Sequence, residues 1–269
     1  MTGPLRIISD LHLGHRVSRI ERVETLRPLL AGAETMVFNG DTWQELAKDL
    51  KEQSGRMLDE LKALCREEGC MPVFLPGNHD PGWPGNGYLE LAGGKIVITH
   101  GDALLYDGSP WKREILTGRE KIDELWAKRP EAARDAGQRH LLAREIAVAL
   151  PSVSHTTGRK IWQRAFDAVV PPQRGIEMLK AWWTQAAAGE AFRERYFPRA
   201  EFLLIGHFHW AGTWRKRNLR VINTGSFLNP GRAHWAEFHE GSLSYGRVDE
   251  TPVGCRMGRV LGRWRCGVS

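Results

Sequence analysis

No apolar run in this 269-residue chain approaches the roughly 18 residues that a membrane-spanning helix needs. Only four cysteines are present, Cys65, Cys70, Cys255 and Cys266; none forms a CxxC pair, and none stands at finger spacing from a histidine. This excludes a disulfide-stapled miniprotein and a thiolate zinc site, and it leaves free thiols in a reducing compartment as the expectation. Met1 to Asp10 has no apolar signal region, so the expected location is cytoplasmic. No internal repeat is visible. With 42% apolar and 26% charged residues, the chain is neither collagen-like nor an extended disordered polymer.

At roughly 150 residues per domain, the length allows one large domain or two small ones. The formal net charge of +6 favours anionic partners: phosphate esters, nucleic acid or acidic lipid headgroups. Eleven tryptophans read mainly as core or interface anchors.

Short apolar runs recur along the first hundred residues, each followed by a polar cluster. Leu5 to Ser9 leads into Asp10-Leu11-His12, Thr35 to Asn39 into Gly40-Asp41, and Pro72 to Leu75 into Gly77-Asn78-His79-Asp80. Lys95 to Thr99 leads into His100-Gly101-Asp102. Between them, Ile20 to Leu30 and Leu46 to Glu68 carry helical patterns. This alternation predicts an α/β fold with strands buried on both faces. From Ala103 to Arg199 the pattern is helical, with Arg119 to Lys128 and Gln138 to Leu150 the clearest segments. That stretch holds 17 lysines and arginines against 12 acidic residues, and five of the tryptophans. Strand character returns at Glu201 to Ile205, before Gly206-His207-Phe208-His209, and again at Leu219 to Ile222, His234 to Phe238 and Ser242 to Val248. The expected organisation is a core over 1–102 and 200–250, a helical insertion or cap over 103–199, and a weakly structured basic tail over 251–269.

In open α/β sheets, sites form beyond the carboxyl ends of strands. Asp10, His12, Asp41, Asn78, His79, His100, His207 and His209 can therefore converge on one rim. Asp10 and His12, two apart on an extended segment, are expected to point to one side, as are His207 and His209. Carboxylate, imidazole and amide oxygen without thiolate suit Mn, Fe, Zn, Co or Ni. The set is large enough for two metals, which about 4 Å apart acidify a water and clamp the oxygens of an in-line phosphoryl displacement.

The ordered blocks Asp10-x-His12, Gly40-Asp41, Gly77-Asn78-His79-Asp80, His100 and Gly206-His207-x-His209 resemble the calcineurin-like metallophosphoesterases. The resemblance covers residues 1–102 and about 200–230. It implies a β-sandwich flanked by helices, and a phosphoric ester hydrolase with two divalent ions, manganese foremost. It places Asp10, His12 and His209 on one ion, Asn78, His100 and His207 on the other, and Asp41 between them. It makes His79 the non-ligand histidine that protonates the leaving oxygen or stabilises developing charge. It makes Asp80 the residue that orients His79. The implied nucleophile is a metal-bridging hydroxide.

Specificity is expected from the insertion, toward a phosphorylated small-molecule or lipid-linked substrate. Its place resembles the cap of the UDP-diacylglucosamine pyrophosphatases, which work at the membrane surface; those enzymes carry arginine where this chain has His79. Glu177 to Trp183 reads as an amphipathic face that packs on the core or rests on a bilayer. Trp111-Lys112-Arg113 and Arg159-Lys160-Ile161-Trp162 offer a nucleic-acid reading, although tryptophans at helical spacing more often pack helices together. A non-catalytic interaction module on the same fold is the other functional class; loss of a ligand or of His79 would favour it, and none is lost. His140, His155 and His239 read as ordinary core or surface residues. The same reading leads for His15 and His234, although both lie near predicted site loops, within reach of a phosphate. Asp102 either orients a ligand or ends a strand.

Overall fold

Eleven strands and five helices are described in the structure, a computed structural model that covers residues 3–109, 118–150 and 172–266. The first sheet contains β1 (Leu5–Ile8), β2 (Thr35–Asn39), β3 (Met71–Leu75), β9 (His234–His239), β10 (Ser242–Thr251) and β11 (Gly254–Arg265), in the order β11-β10-β9-β1-β2-β3. The second contains β4 (Tyr88–Leu91), β5 (Ile96–Thr99), β6 (Phe202–Ile205), β7 (Gly212–Lys216) and β8 (Leu219–Asn223), in the order β4-β5-β6-β8-β7. The helices are α1 (Arg27–Leu30), α2 (Lys51–Glu67), α3 (Arg119–Lys128), α4 (Ala136–Ala149) and α5 (Pro172–Tyr196).

Period-2 alternation sorts the strand side chains between layers. Leu5 and Ile7 of β1, Ile96 and Ile98 of β5, and Phe202 and Leu204 of β6 fill the core between the sheets. Their neighbours turn outward: Ile8 packs with Leu29 and Leu30 of α1 and with Met57, Leu61 and Leu64 of α2. Val97, Leu203 and Ile205 pack with Ala143 of α4 and with Ala181 and Phe192 of α5. The fold is thus a β-sandwich with helices on both outer faces, as expected. The described part of 103–199 is helical, and α4 and α5 supply the outer layer of the second sheet. A Cβ on Gly189 of α5 would lie 3.1 Å from both Leu203 and Val221, so this helix sits close against β6 and β8.

Several expectations change. Residues 254–265 are strand, not a weakly structured tail: β11 pairs antiparallel with β10 along its length. Register shifts around Gly246 break the alternation that would have exposed this strand in the sequence. Exposed Arg256 and Arg259 line the sheet edge, where charge blocks further pairing. The edge strands β4 and β7 were not expected. Helix α2 starts at Lys51 rather than Leu46, because the Leu46 N–H is drawn to the His79 carbonyl at 3.3 Å. Ile20 to Leu30 folds as a 3-10 turn, Val23–Leu26, followed by the short α1. The Trp111–Arg113 and Arg159–Trp162 clusters and His155 lie outside the described residues. Among the described tryptophans, Trp126 stacks on Tyr106 at 4.9 Å and carries the buried Arg139 guanidinium over its ring at 4.8 Å. The four cysteines are buried and unbridged. No helix among the described residues is long and apolar enough to cross a membrane.

His140 is an ordinary core histidine with a measurable consequence. Its Nδ1 donates to the Ala136 carbonyl (2.7 Å) and its Nε2 accepts from Thr99 Oγ1 (2.8 Å). Burial pushes its pKa down to about 4 from the ordinary 6.5. Between those values the unfolded chain binds the proton and the folded chain does not, so stability rises with pH across the window. The contribution is complete above 6.5, is lost as pH falls toward 4, and amounts to roughly 3 kcal/mol. His140→Gln is expected to flatten this part of the urea-midpoint profile against pH; midpoints falling in parallel with wild type would contradict it.

Candidate dinuclear metal centre

The parallel strands β1, β2 and β3 of one sheet and β5 and β6 of the other end on the same edge of the sandwich, and each runs into one polar block. The blocks are stitched by backbone bonds: Asp10 N–H to the Gly40 carbonyl (3.1 Å), His12 N–H to the Asp41 carbonyl (2.9 Å) and Gly206 N–H to the His100 carbonyl (2.8 Å). The Asn39 carboxamide donates across to the Thr99 carbonyl (2.9 Å), fixing one sheet's edge against the other.

The loop backbone differs from the expectation. Asp10 and His12 are not on an extended segment; both have positive φ, 54° and 47°, as do Asp41 (50°), His207 (62°) and His209 (54°). Such conformations are uncommon for residues with a Cβ and collect at functional sites. The paired side chains converge because of these left-handed turns, not because of a strand period. Glycine makes room for them. A Cβ on Gly40 would strike the His100 ring, one on Gly77 the Asp41 carboxylate, and one on Gly206 the Asp10 carboxylate.

Two groups of ligand atoms result, each with its members within 4.8 Å of one another: Asp10, His12, Asp41 and His209, and Asp41, His100 and His207. Asp41 belongs to both. Its Oδ2 lies 3.5 Å from His12 Nε2 and 3.4 Å from His100 Nε2. Asp10 Oδ1 lies 3.1 Å from His209 Nε2. Asn78 Oδ1 is buried without a hydrogen-bond partner, an acceptor that a cation would satisfy. This donor set fits two divalent ions. Most of it is buried; His209 and His79, with side chains 33% and 23% exposed, mark the opening.

The bonds behind the rings select their ligand atoms. His100 Nδ1–H donates to the Asn39 carbonyl (3.0 Å), leaving Nε2 toward Asp41. His207 Nε2–H donates to the Gly108 carbonyl (2.8 Å), at the start of the helical segment, and leaves Nδ1 toward the site. Burial depresses His12, and burial followed by the neighbouring His100 depresses His207, so both are neutral and ready to ligate. For His100 burial alone would do the same, but Asp41 overrides it and raises the ring well above 6.5. Burial would raise Asp41, yet His100 and His79 hold it well below the usual carboxylate range. A cation held here would compete with the proton on His100.

Asp80 does not orient His79. Its Oδ1 accepts the Asp41 and Gly77 N–H groups (both 2.9 Å), and its Oδ2 accepts the Thr42 N–H (2.8 Å) and the Trp83 indole N–H (3.1 Å). It ties the two ligand loops together. Burial and the Asp41 charge push it up to about 8, against those hydrogen bonds. The group beside His79 is Gln44, which no motif singled out. Its fully buried carboxamide lies 3.0 Å from His79 Nδ1 and 2.9 Å from His12 Nδ1. Asn223 was also missed as a brace; its amide donates to the Gly206 carbonyl (3.0 Å) and to Gln185 Oε1 (2.8 Å). His15 sits beside His12, with ring centroids 6.0 Å apart. His234 is largely buried, with its Nδ1 on the Tyr245 hydroxyl (2.6 Å). Asp102 accepts the Ala103 N–H (2.9 Å) and closes its strand end.

Solved structures similar to this chain include a dimetal phosphatase from Danio rerio (13% identity, 99% of each chain covered, TM-score 0.49). Vacuolar Protein Sorting 29 from Cryptosporidium parvum is another (11% identity, 98% of each chain, TM-score 0.45). A third is a predicted phosphoesterase from Streptococcus pneumoniae (16% identity, 98% of this chain and 97% of that one, TM-score 0.40). No curated protein matches the sequence. The profile described as Calcineurin-like phosphoesterase matches residues 3–210, a span that contains every ligand block from Asp10 to His209. The chain belongs to the calcineurin-like phosphoesterase family.

Proposed function

We propose that this protein is a two-metal phosphoesterase that hydrolyses a phosphate ester or phosphoanhydride. The observation that carries the reading is one carboxylate oxygen, Asp41 Oδ2, facing ligand histidines of both groups. Asp10, His12 and His209 would hold one ion, Asn78, His100 and His207 the other, with Asp41 shared. Bound there, two divalent ions supply Lewis acidity and a water acidified toward neutral pH. Manganese is the expected ion. The chain's own residues do the rest. Asp80 holds the Asp41 and Asn78 loops at fixed separation. His79, partly exposed at the opening, holds a proton at Nε2, 3.9 Å from Asp41 Oδ2, for the oxygen that leaves phosphorus.

One observation favours a lipid-linked substrate. On α5, Ile176, Leu179 and Trp183 form an exposed apolar stripe, with Trp183 85% exposed. Trp182 of the same helix packs on Trp210, next to His209, at 5.0 Å. Acyl chains resting on this stripe would bring an anionic head toward the centre.

The test is a substrate panel with added Mn²⁺: aryl phosphomonoesters and diesters, cyclic and linear nucleotides, single-stranded nucleic acid and UDP-sugar lipids. Chelator-sensitive hydrolysis of an aryl ester is expected, with the physiological class giving the highest kcat/KM. Two bound metals with no turnover of any member would favour an interaction module.

A further inference from the structure

We propose that an arginine-lined cleft on the same rim as the ligand loops is a second anion site, which takes an oligophosphate group: two or more linked phosphates, free or carried by a small molecule. The inference does not depend on the two-metal reading.

Strand direction sets the position of the cleft. β9 is antiparallel to β1 and begins on the rim where β1 ends; β10 ends there, and β11 starts there. The cleft has a volume of about 550 Å³ and is walled by residues 229–233, by His234 and by the paired ends of β10 and β11. The connection between β8 and β9 separates it from the ligand loops. On one side of that connection the Phe227 N–H donates to the Asp10 carbonyl (3.1 Å), and a Cβ on Gly231 would lie 3.4 Å from the His209 carbonyl oxygen. The wall is held in place by the His234 N–H on the Thr224 carbonyl (2.8 Å) and the Val248 N–H on the Ala233 carbonyl (3.0 Å).

Four arginines line the cleft. Arg19 is committed to the fold. Its guanidinium donates to both Glu250 carboxylate oxygens (2.8 and 2.9 Å) and to the carbonyls of Ser226 (3.1 Å), Leu228 (2.8 Å) and Gly231 (2.7 Å). Arg232, Arg247 and Arg256 are different. All three are exposed, and their guanidiniums bond to no other described residue. The two acidic residues of the lining do not neutralise them: Glu250 is taken by Arg19, and the Asp249 carboxylate lies over Gly258, where a Cβ would strike it. Burial, and after it the Arg247 and Arg232 charges, push His234 down to about 4, so two of the free guanidiniums bear on one buried ring of the wall.

Like charges gathered without a counter-ion repel one another, and a bound anion relieves that repulsion. A guanidinium presents a planar fork of N–H donors that matches the oxygens of a phosphate. Three such forks suit more than one phosphate. The volume lies within the roughly 300–1,000 Å³ range of small-molecule sites. No tryptophan, tyrosine or phenylalanine is among the lining residues, so no ring is offered for stacked bases, the usual platform for single-stranded nucleic acid. The phosphates, rather than the group that carries them, supply the recognition.

The experiment is calorimetric titration of the full chain with inorganic pyrophosphate and with ADP, in about 0.15 M salt, where exposed charges beyond roughly 8 Å are screened. Metal is omitted so that no ion at the ligand loops captures the probe. Wild type is expected to bind both probes. Arg247→Gln/Arg256→Gln is expected to weaken binding by at least about tenfold, the order set by losing charge-assisted contacts. The control, Arg263→Gln/Arg265→Gln, removes the same charge about 20 Å further along β11 and should leave the affinity within about twofold. Equal losses in the two pairs would reduce the binding to net charge and overturn the inference. Binding that Arg247→Gln/Arg256→Gln leaves intact overturns it too, as does wild type that binds neither probe. Tighter binding of ADP than of pyrophosphate upholds the site and assigns it to nucleotides; equal binding upholds it as a site for the diphosphate alone. If Arg247→Gln/Arg256→Gln does not fold, Arg232→Gln carries the same comparison from the loop. The substrate panel above tests the two-metal reading separately.

Discussion

Asp41→Asn is expected to abolish turnover and to empty both metal positions together. The substitution keeps the size of the side chain and an oxygen for the His79 N–H, which Asp41 Oδ1 accepts at 2.8 Å. It removes the charge that both histidine groups face. Losing one preorganised hydrogen-bond donor at a reacting centre costs on the order of 10²–10³ in kcat. Losing the carboxylate shared by two Lewis acids removes more, so a fall of at least about 10³-fold is expected. Metal content by mass spectrometry, alongside kcat/KM with Mn²⁺, reads the outcome. Asp10→Asn is the control, because Asp10 faces only one group; it should lower occupancy at one position. Two ions retained per chain in Asp41→Asn would sink the shared-carboxylate arrangement.

His79→Asn is expected to leave both metals in place and to lower kcat by about 10²–10⁴-fold. Its ring is at the opening, and its Nε2 faces Asp41 at 3.9 Å rather than standing among the grouped ligand atoms. The backbone contact to Asp41 survives the substitution. The size of the loss should depend on the leaving group: small for nitrophenoxide, which departs without a proton, and large for an alkoxide. A loss of equal size across leaving groups would assign His79 to substrate binding. Asp80→Asn should behave differently, because Asp80 ties loops together. Its expected signature is weaker metal retention with no dependence on the leaving group.

These roles were unequally legible in the sequence. The eight polar residues after five strands announced themselves, because metal chemistry restricts ligand types and strand ends restrict where they fall. The roles of Asp80 and Gln44 did not. Asp80 follows His79 directly, and adjacency suggested a partnership; yet successive side chains diverge, and the Asp80 carboxylate faces backbone N–H groups instead. Gln44 carries no motif, since a glutamine that bonds to two rings looks the same in sequence as one exposed to water. The ligand pairs were assigned to one side by strand periodicity, whereas five left-handed φ angles bring them together. The β11 strand was hidden by its glycines, its arginines and the register shifts opposite it.

The sequence by itself determined the fold class, the family and the candidate ligand residues, because alternation of strands and helices and the order of the polar blocks are one-dimensional properties. Only the tertiary structure decided which carboxylate faces both histidine groups, which ring nitrogens turn toward the site, and that Gln44 rather than Asp80 stands behind His79. Those depend on side-chain direction and on contacts between residues up to 199 positions apart, from Asp10 to His209, which the packing of two sheets face to face creates and no local pattern records.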